Sequence, residues 1–192
     1  MPTVYVEGYT KQPGGAISPM EIAVGSSWDR GRPGSGITVN ENPQSVRATV
    51  IPLSSVAIAM ADNAAAGSHG SKLIYTLPGG ATQIQIAAVN LAITADAGLV
   101  NNASLVGSLG TTATATDNAT LTGTEANIIA STACTLTASA GTFNAISGTI
   151  APLDGRSTPT PVYLNFAVAD AGSTGAAVVT VTGEVRISWV VI

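Results

Sequence analysis

In two stretches, 162–170 and 177–192, the chain alternates with a period of two. Val162, Leu164, Phe166 and Val168 are interleaved with Tyr163, Asn165, Ala167 and Ala169. Further on, Val179, Val181, Gly183, Val185, Ile187, Trp189 and Val191 are interleaved with Thr180, Thr182, Glu184, Arg186, Ser188 and Val190. Successive strand side chains point to opposite faces, so this pattern gives a strand one apolar and one wet side; a helix would scatter the same residues around its circumference. Residues 170–175 (DAGSTG) have a turn composition. The two segments are therefore expected to pair as an antiparallel hairpin with Glu184 and Arg186 on its wet face.

The same texture extends back to about residue 41. Residues 45–51 alternate, with Val46, Ala48 and Val50 set against Arg47, Thr49 and Ile51; residues 72–77 form a β-branched and aromatic run closed by Pro78, Gly79 and Gly80. In residues 82–94, Ile84 and Ile86 have one parity and Val89, Leu91 and Ile93 the other. A β-bulge near Ala87 and Ala88 would put all five on one core face. Residues 133–139 and 142–149 read as two more strands around Ala140 and Gly141. Residues 107–124, rich in Ala and Thr, fit either a strand or a low-relief loop. Helix is confined to one place: Thr122 and Glu125 have capping-box spacing ahead of Ala126, Asn127, Ile128, Ile129 and Ala130, enough for two turns at most. Short strands at roughly ten-residue spacing with Gly-rich turns imply an all-β, antiparallel β-sandwich, jelly-roll-like, with one short helix.

Residues 1–40 differ. After Thr3, Val4, Tyr5 and Val6 comes a Gly-, Pro- and Ser-rich stretch with neither period. Such a segment has no core of its own, yet it carries Tyr5, Ile17, Met20, Ile22 and Trp28, and beside Trp28 the cluster Asp29, Arg30 and Arg32. The expectation is an extended N-terminal arm (1–40) that orders on a neighbouring subunit, appended to a β-sandwich domain (41–192). Tyr5, Met20, Trp28, Arg30 and Arg32 are the candidate partner-binding residues, being of the types that dominate interface anchors.

Charge limits the function classes. Only 9% of residues are charged, seven Lys and Arg against eleven Asp and Glu, for a net charge of −4. Nucleic-acid binding needs clustered cations that are missing here, and disorder needs the opposite balance of charge to apolar content. So sparsely charged a surface suits a subunit partly covered by others. No run approaches a membrane span, and the start lacks the basic and apolar regions of a secretory signal, so synthesis in a cytoplasm and no membrane partner are expected.

The residues also argue against catalysis. A Ser/His/Asp set needs a base, and His69 stands alone in Gly67-Ser-His-Gly-Ser71, which reads as an exposed loop. Cys134 is the sole cysteine, excluding an internal disulfide and a cysteine-based zinc site and reading as a buried apolar filler. The carboxylates Asp62, Asp96, Asp117, Asp154 and Asp170 flank turns, where they cap backbone, and no calcium-loop spacing occurs. Eight aromatic residues are too few for a sugar platform, and Gly31, Gly34 and Gly36 lack the flanking strand and helix of a phosphate loop. No catalytic, cofactor or metal site is expected.

The segments LTGTEANIIASTA (121–133), TFNAISGTI (142–150), PVYLNFAVADAG (161–172) and VTVTGEVRISWVVI (179–192) resemble small virion structural proteins of tailed bacteriophages, the capsid decoration or cement proteins. The most specific pieces are TGTEANI, VYLN and the terminal TxxGxVxxxW. The resemblance spans about residues 45–192 and implies a non-enzymatic protein of the virion. Such a protein sits on the outer capsid surface at subunit junctions, commonly as a homotrimer, with the major capsid protein as partner and stabilisation as its role. The alternative is a head-fibre or fibre-tip module that binds a host receptor or glycan.

Overall fold

The computed structural model describes residues 5–6, 9–11, 17–19, 32–33, 35–38, 40–42, 47–63, 67–96, 98–99, 105–114, 120–134, 136–148, 150, 153–155, 159–168 and 177–191. Short strands come first: β1 (Tyr5–Val6), β2 (Tyr9–Lys11), β3 (Ile17–Pro19), β4 (Arg32–Pro33) and β5 (Asn40–Asn42). The main strands follow as β6 (Arg47–Asn63), β7 (Gly67–Leu77), β8 (Gly80–Ala95), β9 (Leu105–Gly110), β10 (Ile129–Ala133) and β11 (Ala140–Ile146). After the three-residue β12 (Leu153–Gly155) come β13 (Thr160–Val168) and β14 (Ala177–Val191).

β1, β2 and β3 pair among themselves, while the main strands hydrogen-bond in the order β10-β9-β13-β7-β6-β14-β8-β11. This path folds over at one corner, where β6 meets β7 only through Ala61–Asn63 against Gly67–His69. Two four-stranded layers result, β10-β9-β13-β7 and β6-β14-β8-β11, packed face to face. Counting the main strands from first (β6) to eighth (β14), the layers run second-seventh-fourth-fifth and first-eighth-third-sixth. That is the double Greek-key winding of a jelly roll. The antiparallel β-sandwich expected from the alternation is the observed fold.

The core lies between the layers. Ile51, Leu53, Leu91, Val181, Val185, Ile187 and Trp189 come from one side; Tyr75, Leu109, Leu164, Phe166 and Val168 come from the other. Phe143 of β11 meets Phe166 of β13 edge to face, with ring centroids 6.0 Å apart at 72°. Trp189 is fully buried, and its indole Nε1 donates to Thr49 Oγ1 at 3.0 Å, so the one polar atom of the largest core residue is satisfied.

Several expectations are corrected in detail. β13 and β14 alternate as expected, yet they are not a hairpin: β13 pairs with β7 and β9, β14 with β6 and β8, in opposite layers. The bulge in β8 lies earlier than expected, opposite Ser188 and Trp189. Gln85 is its extra residue, so Ile84 and Val89 face the core while Ile86 is turned out at 47% exposure. A second irregularity sets Thr182 opposite Ser54 and Ser55, and Gly183 adopts φ +143°. A Cβ on Gly183 would collide with the Asn90 carbonyl, so this strand position requires glycine.

Outside the strands, the short helix is a single 3-10 turn, Gly123–Glu125, and the Thr122 side chain makes no cap bond. The β-branched pair Ile128 and Ile129 leads instead into β10. Of the strand expected over 133–139, Ala133 ends β10, and residues 137–140 form a turn, with Ala138 at φ +55° and Thr137 bridged to Ala140. Near the N-terminus, Arg32–Pro33 pairs with Thr76 and Tyr75 of β7, Asn40–Asn42 pairs with β6, and Ile37 is part of the core cluster.

Candidate interaction face

The two layers treat their outer faces oppositely. Over the β9-β13 face lies a segment of the chain itself, described at residues 111–114 and 120–128 and held by Asn165. This side chain is fully buried on the outward side of β13. Its Nδ2 donates to the carbonyls of Thr112 (3.0 Å) and Glu125 (2.8 Å). Its Oδ1 accepts from Ser71 Oγ (2.7 Å) and the Thr114 backbone N–H (3.2 Å). Two donors and two acceptances exhaust the amide, so one side chain ties three points of the segment to the sheet. Ser108 Oγ donates to the Glu125 carbonyl at 2.7 Å, and Asn127 clasps Thr111 through both its side-chain atoms at 3.0 Å. The segment approaches so closely that a Cβ on Gly110 would overlap the Glu125 backbone.

The outer face of β6-β14-β8-β11 has no such cover among the described residues. Its rows follow from the register: Ala48, Ser188 and Ile86; Val50, Arg186, Ala88 and Ile146; Pro52, Glu184, Asn90 and Asn144; then Thr182, Ala92 and Thr142. Small, hydroxyl and amide residues make it flat. Its only described charges, Glu184 and Arg186, form an ion pair with each other. Ile86 and Ile146 stand out at 47% and 70% exposure. Between β8 and β11 a shallow, open depression of ≈ 620 Å³ is lined by Ala88, Val89, Asn90, Asn144, Ala145 and Ile146.

Nothing described assembles reactive groups. No cluster of three or more His, Cys, Asp or Glu suited to a metal occurs among the described residues. His69 lies in strand β7, not in a loop, opposite Ala61 and Ala167, and is half-buried. Its glycine-rich setting reflects packing: a Cβ on neighbouring Gly70 would lie 2.5 Å from the Ala59 carbonyl oxygen and 2.7 Å from Met60 Sδ. Cys134 is buried, and burial pushes its thiol up to about 12, against a smaller lowering by a hydrogen bond with the Gly107 backbone. It is an apolar filler, not a nucleophile. Asp96 works as a cap, accepting from Gly98 N–H (3.0 Å) and Val178 N–H (2.8 Å).

Of the arm's candidate anchors, Tyr5 lies in β1 and Arg32 in β4 on the edge of β7. Met20, Trp28 and Arg30 lie outside the described residues. Sequence reasoning missed the open face itself. Parity with Ile84 places Ile86 in the core on sequence alone; the bulge at Gln85 turns it out.

No protein-family model matches the chain, and no curated protein matches it. A solved structure described as "CBM4 structure and function" is similar over 82% of this chain and 94% of its own, at 12% identity and a TM-score of 0.37. A likeness that distant carries no argument about function.

Proposed function

We propose that this protein is a non-enzymatic virion structural protein that binds the outer surface of a phage capsid at subunit junctions and stabilises it. The observation that supports this reading is the outer face of the β6-β14-β8-β11 layer, which among the described residues is uncovered and nearly uncharged. A flat face of small residues with protruding Ile86 and Ile146 suits a broad, flat partner better than a compact ligand. Four strands about 4.8 Å apart and roughly ten residues long, at about 3.4 Å per residue, present on the order of 650 Å². That is somewhat below the roughly 800 Å² per partner of a standard interface, so each copy binds modestly and many copies together stabilise a lattice. The ordering of TGTEANI, VYLN and TxxGxVxxxW along the chain, as in decoration proteins, supplies the capsid as the lattice.

The test is addition of the purified full chain to undecorated capsids of its own virus. It is expected to co-sediment and to raise their rupture temperature. An Ile86→Lys variant, with unchanged unfolding, is expected to bind at least about tenfold more weakly, because a charge is desolvated at the contact. Absence of binding, binding without stabilisation, or binding only to host-surface glycans overturns the reading.

A further inference from the structure

Three of the four layer edges are blunted in ways that prevent strand addition. β7 is flanked by β4, which carries Pro33, and by the β6 corner. β6 is flanked by β5, then interrupted by Pro52 and by Ser55 at φ +51°. β10 is broken by a register shift between Ile129 and Thr132. The fourth edge, β11, has none of these devices: its sequence AGTFNAI contains no charge and no proline and pairs with β8 in unbroken register.

Which of its backbone groups are free follows from the ladder. Ser147 N–H donates to the Ala87 carbonyl and Ala95 N–H to the Ser139 carbonyl, each at 2.8 Å. Hydrogen-bonded positions alternate along an antiparallel pair, so the odd positions 139–147 direct their backbone groups at β8 and the even ones away from it. Ala140 confirms the phase, because its N–H and carbonyl both bond Thr137 in the turn before β11, at 3.2 and 2.7 Å. Thr142, Asn144 and Ile146 therefore present their N–H and C=O groups outward with no partner among the described residues. Their side chains are exposed as well.

We infer that this edge pairs antiparallel with β11 of a second copy, about a two-fold axis through Asn144. In that register Asn144 faces Asn144 of the other copy, and Thr142 faces Ile146 in both directions. All three free positions on each side find hydrogen-bonded partners, and neighbouring registers leave at least one unmatched. The facing carboxamides are self-complementary, each offering a donor and an acceptor. No like charges meet despite the chain's net charge of −4. Ile146, 70% exposed in the single chain, gains a cross-strand neighbour, and the two layers join into one eight-stranded sheet. The resulting unit is a dimer, in place of the trimer implied by the resemblance, and it does not depend on what the outer face binds.

Sedimentation of the full chain up to high-micromolar concentration tests this. Twice the chain mass is expected. Asn144→Pro removes an N–H that β8 does not use, so the chain is expected to fold but to dissociate at least about tenfold more readily. Asn144→Lys and Asn144→Asp are each expected to weaken association alone, because position 144 meets itself, and to recover it when mixed. A monomer at all concentrations, a trimer, a dimer indifferent to Asn144→Pro, or charge variants that fail to recover on mixing would overturn the pairing.

Discussion

The two layers of the sandwich are built from similar strands but finished differently. Over β9 and β13 the chain lays its own segment and fastens it through a buried amide whose four hydrogen bonds are all made. Over β14, β8 and β11 it leaves Ala, Thr, Ser and Asn facing outward, with a lone described ion pair. The difference teaches how a weakly charged domain manages its surface. One face is satisfied internally and contributes to stability, while the other is kept flat and neutral, so that covering it costs little desolvation. Substitutions under the covered face should therefore register in folding, and those on the open face in binding.

The largest expected effect is at Asn165. Replacing it with Ala leaves the Thr112 and Glu125 carbonyls, the Thr114 N–H and Ser71 Oγ without this partner. At roughly 1–3 kcal/mol for each buried group left unsatisfied, with partial rescue by water, a loss of about 3–5 kcal/mol is expected in urea unfolding. Hydrogen exchange over residues 111–114 and 120–128 should accelerate at the same time. A loss below about 1 kcal/mol would mean that the segment is held by its other contacts and that the contrast between the faces is overstated.

A smaller effect concerns Cys134, inside the core beneath the covered face. Burial raises its folded-state pKa from the usual 9.0 to about 12, so the unfolded chain loses this proton first as pH rises. Stability attributable to the thiol is full below pH 9 and falls between 9 and about 12, by at most about 1.4 kcal/mol per pH unit. Wild type and Cys134→Ala compared from pH 8 to roughly 11 isolate this slope. Parallel curves would show that the thiol reaches solvent. The smallest effect is expected on the open face, where Glu184→Gln breaks the exposed pair with Arg186 and should shift stability by no more than about 0.5 kcal/mol. A larger shift would make that pair a structural element instead of surface finish.

The pieces that carry the family resemblance acquire physical meaning in this comparison. TGTEANI and VYLN touch each other, through the bond from Asn165 to the Glu125 carbonyl. TxxGxVxxxW contains Gly183, where β8 backbone passes too close for a Cβ, and Trp189, the largest buried side chain. All three are fold-holding features on the covered side or in the core, and the open face draws on none of their most specific contacts. They were legible because glycine, buried aromatic and amide positions stand out from an Ala- and Thr-rich background. The open face was not, because an outward Ala or Thr looks the same whether it meets water or a partner.

The sequence by itself determined the fold class, since a period of two sustained through Val162–Val168 and Val179–Val191 is compatible only with half-buried strands. It also determined that a single Cys leaves no internal disulfide to form. Only the tertiary structure decided which strands are neighbours. The alternation of β13 and β14 says that each has an apolar side but not which strand lies beside it, and an adjacent hairpin and opposite layers bury those residues equally well. It alone also decided where the bulge in β8 falls. Moving the extra residue from Ala87 to Gln85 leaves the period on either side intact, yet it turns Ile86 from core to surface. Local pattern sets which side of a strand is apolar; packing between distant strands sets what that side meets.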